Sequence, residues 1–447
     1  MAFNKRELVA EIKEQYLEED EGRPWIVAFS GGKDSTTLLM LVWEAMLELT
    51  EVERKTRTVY IICNNTLVEN PQVLTFVNKQ LEVLREKAVE QGLPIIVDHT
   101  TPRLDDSFWV NLVGRGYPAP NNMFRWCTER LKISPTTHYI KEKISEHGEV
   151  IILLGTRSDE SSNRAASIKR HEIKGQRLRK HPLPNAMAYA PIKDMTTDEV
   201  WTYLQSTNSP WTGRKNRDLI TLYRNGSGGD CPLIMDVKTP SCGNSRFGCW
   251  VCTVVKRDRS MEALIDNGED WMQPLVEIRD FLYGTIDRDA PDYDPDKYRM
   301  PIRRNKAEGL GPYWPKWRYH ILKMILEAQK IAQEEDPQNQ LITLQELAAI
   351  QVVWNRDHIY EYSVSDLYNE VYGKVIDFEQ KGTSVSQEKK LLKDVCQDKP
   401  EDFNLINQLL NAQKNKVLLL RKHGLQNDLE NILQEHVRPT FTKLEDY

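Results

Sequence analysis

Short apolar runs alternate with longer stretches of helical periodicity through the first two hundred residues. Trp25-Ile-Val-Ala-Phe29, Thr58-Val-Tyr-Ile-Ile-Cys63, Leu93-Pro-Ile-Ile-Val97 and Val150-Ile-Ile-Leu-Leu154 are continuous in apolar character. Runs of this length read as strands buried on both faces. Between them, residues 5–20, 36–47, 71–91 and 131–146 space their apolar positions as helices do. Strand and helix in alternation predict an α/β fold, a parallel twisted sheet with helices on both faces. In such sheets ligands bind beyond the carboxyl ends of the strands. Ser30–Ser35, Asn64–Glu69 and Gly155–Glu160 all fall there and are expected to line one crevice.

The pattern breaks near Ser206. Residues 206–260 are rich in Gly, Asn, Arg and Cys and show little periodicity. Residues 261–335 mix helical stretches with a Pro/Asp-rich loop at Asp287–Arg304, and residues 340–447 are helical in pattern and highly charged. The expected organisation is therefore a nucleotide domain over 1–205, an irregular Cys-rich segment over 206–335 and a helical C-terminal region over 336–447 suited to docking a partner.

Composition narrows the class. The 447 residues are 40% hydrophobic and 28% charged, with net charge −6. No apolar run approaches the roughly 18–20 residues that span a bilayer, and the first residues show no apolar signal core. The expectation is a cytoplasmic protein with no membrane partner. Seven cysteines, several clustered, then suggest metal or redox chemistry more than disulfides.

Ser30-Gly-Gly-Lys-Asp-Ser35 stands between a predicted strand and a predicted helix. That geometry points backbone N–H groups at one anion, and two glycines let the backbone approach it closely. Ser30 and Ser35 add hydroxyls and Lys33 a point charge. Walker A needs Gly, four residues, then Gly-Lys-Ser/Thr; here Asp34 follows Lys33, so a kinase or GTPase loop is excluded. Asn64 and Asn65 serve either to place adenosine or simply as turn residues.

Gly155-Thr-Arg-Ser-Asp-Glu-Ser161 follows a strand, and Arg157 is expected to fork onto a phosphate or sulfate oxygen. Thr196 or Thr197 can cap the helix holding Asp198 and Glu199. Between Arg157 and His181 eight Lys/Arg face only three Asp/Glu, which reads either as a solvated face or as a nucleic-acid patch.

Cys242, Cys249 and Cys252 give C-x6-C-x2-C in a Gly-rich loop. Such thiolates can converge on one metal, with a fourth ligand from elsewhere. Cys127 is the preferred fourth ligand and Cys231 its competitor; Cys63 and Cys396 read as core. Spacing leaves structural zinc, a [4Fe–4S] cluster and a persulfide-carrying pair all open.

The motifs together carry a resemblance. Ser30–Ser35 resembles the PP-loop of N-type ATP pyrophosphatases, Gly155–Ser161 the corresponding segment of phosphoadenylyl-sulfate (PAPS) reductases, and Phe124–Lys132 their Cys-Cys-x-x-Leu-Lys segment with one Cys in place of two. With Gly229–Pro232, Thr239–Val255 and Gly311–Arg318, the first 330 residues resemble the DndC sulfurtransferase family of DNA phosphorothioation. The resemblance implies cleavage of ATP to AMP and pyrophosphate with Mg²⁺. Ser30, Gly31, Gly32, Lys33, Asp34 and Ser35 would hold the nucleotide, with Lys33, Asp34 and Arg157 catalytic. It also implies a [4Fe–4S] cluster on Cys127, Cys242, Cys249 and Cys252. The implied partners are DNA, a cysteine desulfurase as sulfur donor and other subunits of the phosphorothioation complex. The alternatives are a PAPS or adenylyl-sulfate reductase-like enzyme and a tRNA thiolase, and a non-enzymatic scaffold within a DNA-modifying complex is the third.

Overall fold

The computed structural model describes residues 3–18, 22–160, 162–173, 175–226, 248–291, 293–301, 310–374, 376, 384–397, 399–417 and 429–434. They fall into two compact units. One comprises Met1–Arg103 and Asn122–Arg279, the other Leu104–Asn121 and Asp280–Tyr447. These boundaries lie elsewhere than at 205 and 335, and the second unit draws in a segment from early in the chain.

The first unit is built on a sheet of strands β1 (Trp25–Ala28), β2 (Val59–Asn64), β3 (Ile95–Thr100), β4 (Val150–Leu153), β5 (Leu178–Lys180) and β6 (Ala186–Tyr189). Its order is β3-β2-β1-β4-β6-β5. All neighbours are parallel except β5, which pairs antiparallel with β6 at the edge. The sheet is thus mostly parallel but mixed, because a hairpin return within the basic stretch adds an edge strand that apolar runs alone do not reveal. β3 also begins later than expected. Only Val97 and Thr100 are buried in this edge strand, so its apolar run marks it poorly.

Alternation along each strand assigns the two faces. Trp25, Val27, Val59, Ile61, Ile151 and Leu153 point into one core, against helix Lys33–Leu47 and its neighbours. Ile26, Tyr60, Ile62, Val150 and Ile152 point into the other, against Ile140 of helix Ser134–His147. Helix Lys33–Leu47 is apolar nearly all round, with Leu38, Leu39, Met40, Leu41 and Trp43 buried. Each such side chain contributes about 1.5–3 kcal/mol on burial, so the helix that begins at the glycine loop is firmly anchored.

Chain order reverses between β1 and β4: β2 and β3 are laid down on one side of β1, and β4 returns to its other side. Such a switch point opens a crevice at the strands' carboxyl ends.

In the second unit, helices Pro315–Glu335, Leu344–Arg356 and Val364–Tyr372 form the main body, with a hairpin of β7 (Arg299–Pro301) and β8 (Leu310–Tyr313). The early segment is tied in by Trp354 Nε1 donating to Val113 O at 3.0 Å and Trp109 Nε1 to Leu341 O at 2.7 Å. No helix among the described residues is long and apolar enough to cross a membrane.

Candidate functional site

The six-residue loop leaves β1 and enters helix Lys33–Leu47 directly, with Gly32 as N-cap. No side chain among the described residues caps that end through Gly32. Apart from Lys33 N, which donates to Tyr223 Oη, the first-turn N–H groups and the positive end of the helix dipole therefore face the crevice. Gly31 has φ +71, and a Cβ there would lie 2.4 Å from Val77 Cγ2, so only glycine fits. Ser35 Oγ donates to Gly32 O at 3.0 Å and sits 3.1 Å from Ser30 Oγ, which pins the loop into a ring.

Charge is arranged tightly behind the loop. Asp34 Oδ2 pairs with Lys33 Nζ at 3.0 Å and Asp34 Oδ1 with Arg157 Nε at 2.7 Å. Arg157 is 1% exposed, and its other nitrogens donate to Met195 O at 3.0 Å and Thr197 Oγ1 at 3.2 Å. The fork expected to be available for an oxyanion is therefore taken by protein acceptors. Arg157 belongs to the site, but it reaches the crevice through Asp34. Gly155 lets the β4 loop come close: a Cβ there would stand 3.1 Å from Asp34 O. The loops after β1 and β4 thus meet across the switch point.

Thr196 caps helix Thr197–Ser206 in a capping box with Glu199. Thr197 instead donates its hydroxyl to Asp159 at 2.9 Å while accepting from Arg157. Hydrogen bonds from Thr197, then the nearby Arg157 charge, hold the Asp159 carboxyl below its usual range.

Tyr223 was not legible as a site residue. It lies on helix Arg217–Asn225, inside the stretch read as irregular, where buried Leu219 and Tyr223 recur one helical turn apart. Its hydroxyl accepts from Lys33 N at 3.2 Å, and burial pushes the phenol up to about 12. Only the Leu219/Tyr223 spacing could have signalled the helix.

The second cluster sits on the loop after β2. Glu69 bridges to Cys249, and Trp250 N donates to Val68 O at 3.0 Å. Thr66 Oγ1 lies 3.4 Å from Cys249 Sγ. Asn64 Nδ2 donates to Leu131 O at 2.9 Å, which brings the Cys127 segment to the same strand end. Asn64 and Asn65 both act here as structural residues, Asn65 Oδ1 accepting from Leu67 N in a tight turn. A thiolate at Cys252 would raise Cys127, and thiolates at Cys249, Cys127 and Cys252 would each raise Lys132. Burial pushes the Cys249 thiol up to about 12 and raises Cys127. Both are then neutral thiols near pH 7, and the pull of Cys249 on Lys132 acts only once a thiolate forms.

Arg279, on helix Gln273–Gly284, grips the end of this turn. Nε donates to Cys252 O at 3.0 Å and Nη1 to Lys256 O at 2.8 Å, and Nη2 reaches Val255 O. Cys242 and Cys231 lie outside the described residues. Among the described residues no group of three or more His, Cys, Asp or Glu side chains is placed to hold a metal. The residue types nevertheless suit a soft metal centre: thiolates at Cys249, Cys127 and Cys252 would raise Lys132, whose charge would offset theirs. Cys63 and Cys396 are buried, as their core reading expects.

The family model for the phosphoadenosine phosphosulfate reductase domain matches residues 24–255, more than half of the chain. The chain belongs to this family. Members of the PAPS reductase family are enzymes that use ATP or a related nucleotide, and the mostly parallel sheet with its loop after β1 is their fold. An uncharacterized protein of Methanocaldococcus jannaschii is 28% identical over 253 residues, 56% of this chain. The chain spans 40% of that relative's length. A PAPS reductase of Candida auris, solved with phosphate, aligns over 46% of this chain and 80% of its own at 12% identity and TM-score 0.29. The U34-tRNA thiolase NcsA of Methanococcus maripaludis, solved with its [4Fe–4S] cluster, aligns over 63% and 80% at 17% identity and TM-score 0.29. Nothing about this chain's chemistry follows from likenesses of that size.

Proposed function

We propose that this chain is an ATP-dependent sulfurtransferase that activates a DNA backbone phosphate by adenylylation and replaces one non-bridging oxygen with sulfur. One observation supports the reading above others. The phosphate loop follows β1, the thiol cluster follows β2, and the two strands are parallel neighbours in register from Trp25↔Val59 to Ala28↔Ile62. Both sets of groups therefore stand at the same end of adjacent strands.

In the proposed reaction a non-bridging phosphate oxygen attacks the α-phosphorus of ATP. The α–β bond breaks and pyrophosphate leaves toward the first turn of helix Lys33–Leu47. Lys33 and the loop N–H groups offset its charge together with Mg²⁺. Asp34, braced by Lys33 and Arg157, faces the phosphates or their Mg²⁺. Sulfide then attacks the activated phosphorus, and AMP departs with the oxygen. Sulfur handed over as a persulfide by a cysteine desulfurase needs a thiol reductant to become that sulfide. A [4Fe–4S] cluster on Cys127, Cys242, Cys249 and Cys252 would supply a soft site for sulfur. The remaining partners, the other subunits of a phosphorothioation complex, belong to the same proposal.

The test is a pyrophosphate-release assay with the metal-loaded protein, its sulfur donor and DNA, followed by mass analysis of nuclease-digested DNA. Pyrophosphate with AMP, and phosphorothioate dinucleotides lost in Lys33→Ala, are expected. Orthophosphate with ADP would overturn the adenylylation. The family match favours a second reading, reduction of an adenylyl sulfate, and sulfite release from that substrate would establish it instead.

A further inference from the structure

The basic residues from Lys169 to Lys180 have no role in the proposed reaction, and two of them, Arg177 and Arg179, line a cavity of about 270 Å³. We propose that this cavity is a second anion subsite, built around Arg179, that takes a phosphate group. The proposal rests on the sulfurtransferase reading only for which substrate brings that phosphate.

The cavity lies beside the β5–β6 hairpin, with Ile168, Ile173 and Pro191 as its apolar wall and Gln176 among its polar groups. It has cations and anions in equal number, so net charge alone decides nothing. What matters is which charges are already paired. Arg177 is paired with Glu14 at 2.5 Å, Lys193 pairs with Glu172, and Glu11 accepts from Tyr189 Oη at 2.9 Å. Asp194 is exposed to solvent. Arg179 is only partly exposed on β5, yet it makes no ion pair or hydrogen bond among the described residues. Glu172, whose charge acts on Arg179, is itself held by Lys193.

A partly buried guanidinium with no partner is costly, and burial indeed pulls Arg179 below its usual value. An oxyanion in the cavity removes that cost, since the planar fork matches phosphate oxygens in pairs. Gln176 adds neutral donors beside it. The volume exceeds that of one phosphate, and the apolar wall leaves room for an attached sugar or base. Exposed Lys169, Arg170 and Lys180 lie on the same stretch and favour approach of a polyanion.

Position connects the cavity to the reaction. Its wall continues from the carboxyl end of β6 through Lys193, whose carbonyl accepts from Ser158 N at 2.8 Å. Ser158 adjoins Arg157, which braces Asp34. These contacts link the cavity at Arg179 to Asp34 and the phosphate loop.

The test is ³¹P NMR line broadening of inorganic phosphate on the full chain, with Lys33→Ala used to weaken binding at the phosphate loop. Broadening that persists in Lys33→Ala and falls at least tenfold in affinity on adding Arg179→Gln is expected. Arg179→Lys keeps the charge but loses the fork and should weaken binding severalfold. Glu172→Gln removes the nearest negative charge and should tighten it. Circular dichroism confirms that each variant is folded. Should Arg179→Gln not fold, the opposite effects of Arg179→Lys and Glu172→Gln carry the test. Binding indifferent to these substitutions overturns the subsite. Competition then identifies the source: displacement by a single-stranded oligodeoxynucleotide but not by AMP marks a backbone phosphate, and the reverse marks a mononucleotide. Displacement by neither overturns a substrate role. The subsite is read from phosphate binding and the sulfurtransferase reading from pyrophosphate and phosphorothioate formed by the unsubstituted protein, so failure of one and failure of the other are distinguishable.

Discussion

The phosphate loop and the thiol cluster occupy the ends of neighbouring strands, yet they are built on different principles. The loop is six consecutive residues whose shape follows from glycines, a strand before and a helix after. Gly31 at φ +71 and the Ser30–Ser35 ring fix it locally. The thiol cluster has no local shape of its own. It joins Thr66 and Glu69, Cys127 and Lys132, and Cys249 and Cys252, brought together from three separate stretches of chain. A site made of one segment is as stable as its turn. A site made of three depends on every contact that brings the segments together.

That difference sets the order of expected effects. The largest is Lys33→Ala or Asp34→Ala: loss of groups facing the phosphates should cost about 10²–10³-fold in pyrophosphate release, read by a coupled phosphate assay. A folded variant with unchanged rate would remove the loop from the chemistry. Next is the cluster itself. Cys127→Ser and Cys249→Ser should each lose most bound iron and the broad visible absorbance after anaerobic purification. Stoichiometric zinc without iron would replace the cluster by a structural site.

Arg279→Ala sharpens the contrast, because Arg279 holds the turn through the main-chain carbonyls of Cys252, Val255 and Lys256. It removes three part-buried hydrogen bonds, at roughly 1 kcal/mol each, and should lower both denaturation midpoint and iron content while Lys33-dependent nucleotide binding stays intact. Equal loss of nucleotide binding would show that the two regions are not separable. The smallest effect is one of acidity. Asp159 is held below the usual carboxylate value of 3.8, so its contribution is present above that pH and is lost as pH falls through the lowered value. Asp159→Asn should flatten this acid limb in a pH series of urea midpoints. An unchanged limb would assign the acid transition to other groups.

Much of this was legible because it is local. β1, β2 and β4 are continuous apolar runs, and a strand buried on both faces has no other composition open to it. β5 was hidden because an edge strand of three residues, Leu178-Arg-Lys180, can be charged. Helix Arg217–Asn225 was hidden by its polar face. Arg157 was legible as a site residue, but its partners Met195 and Thr197 come from beyond the next strand, so its engagement was not.

The sequence by itself determined the strand–glycine turn–helix form of Ser30–Ser35, the parallel core and the clustering of cysteines, since each rests on short-range spacing. Only the tertiary structure decided that β4 returns beside β1, that Asp34 meets Arg157, and that Cys249 comes to Thr66. The physical reason is that packing of distant segments, not their spacing, sets which groups share a low-dielectric crevice.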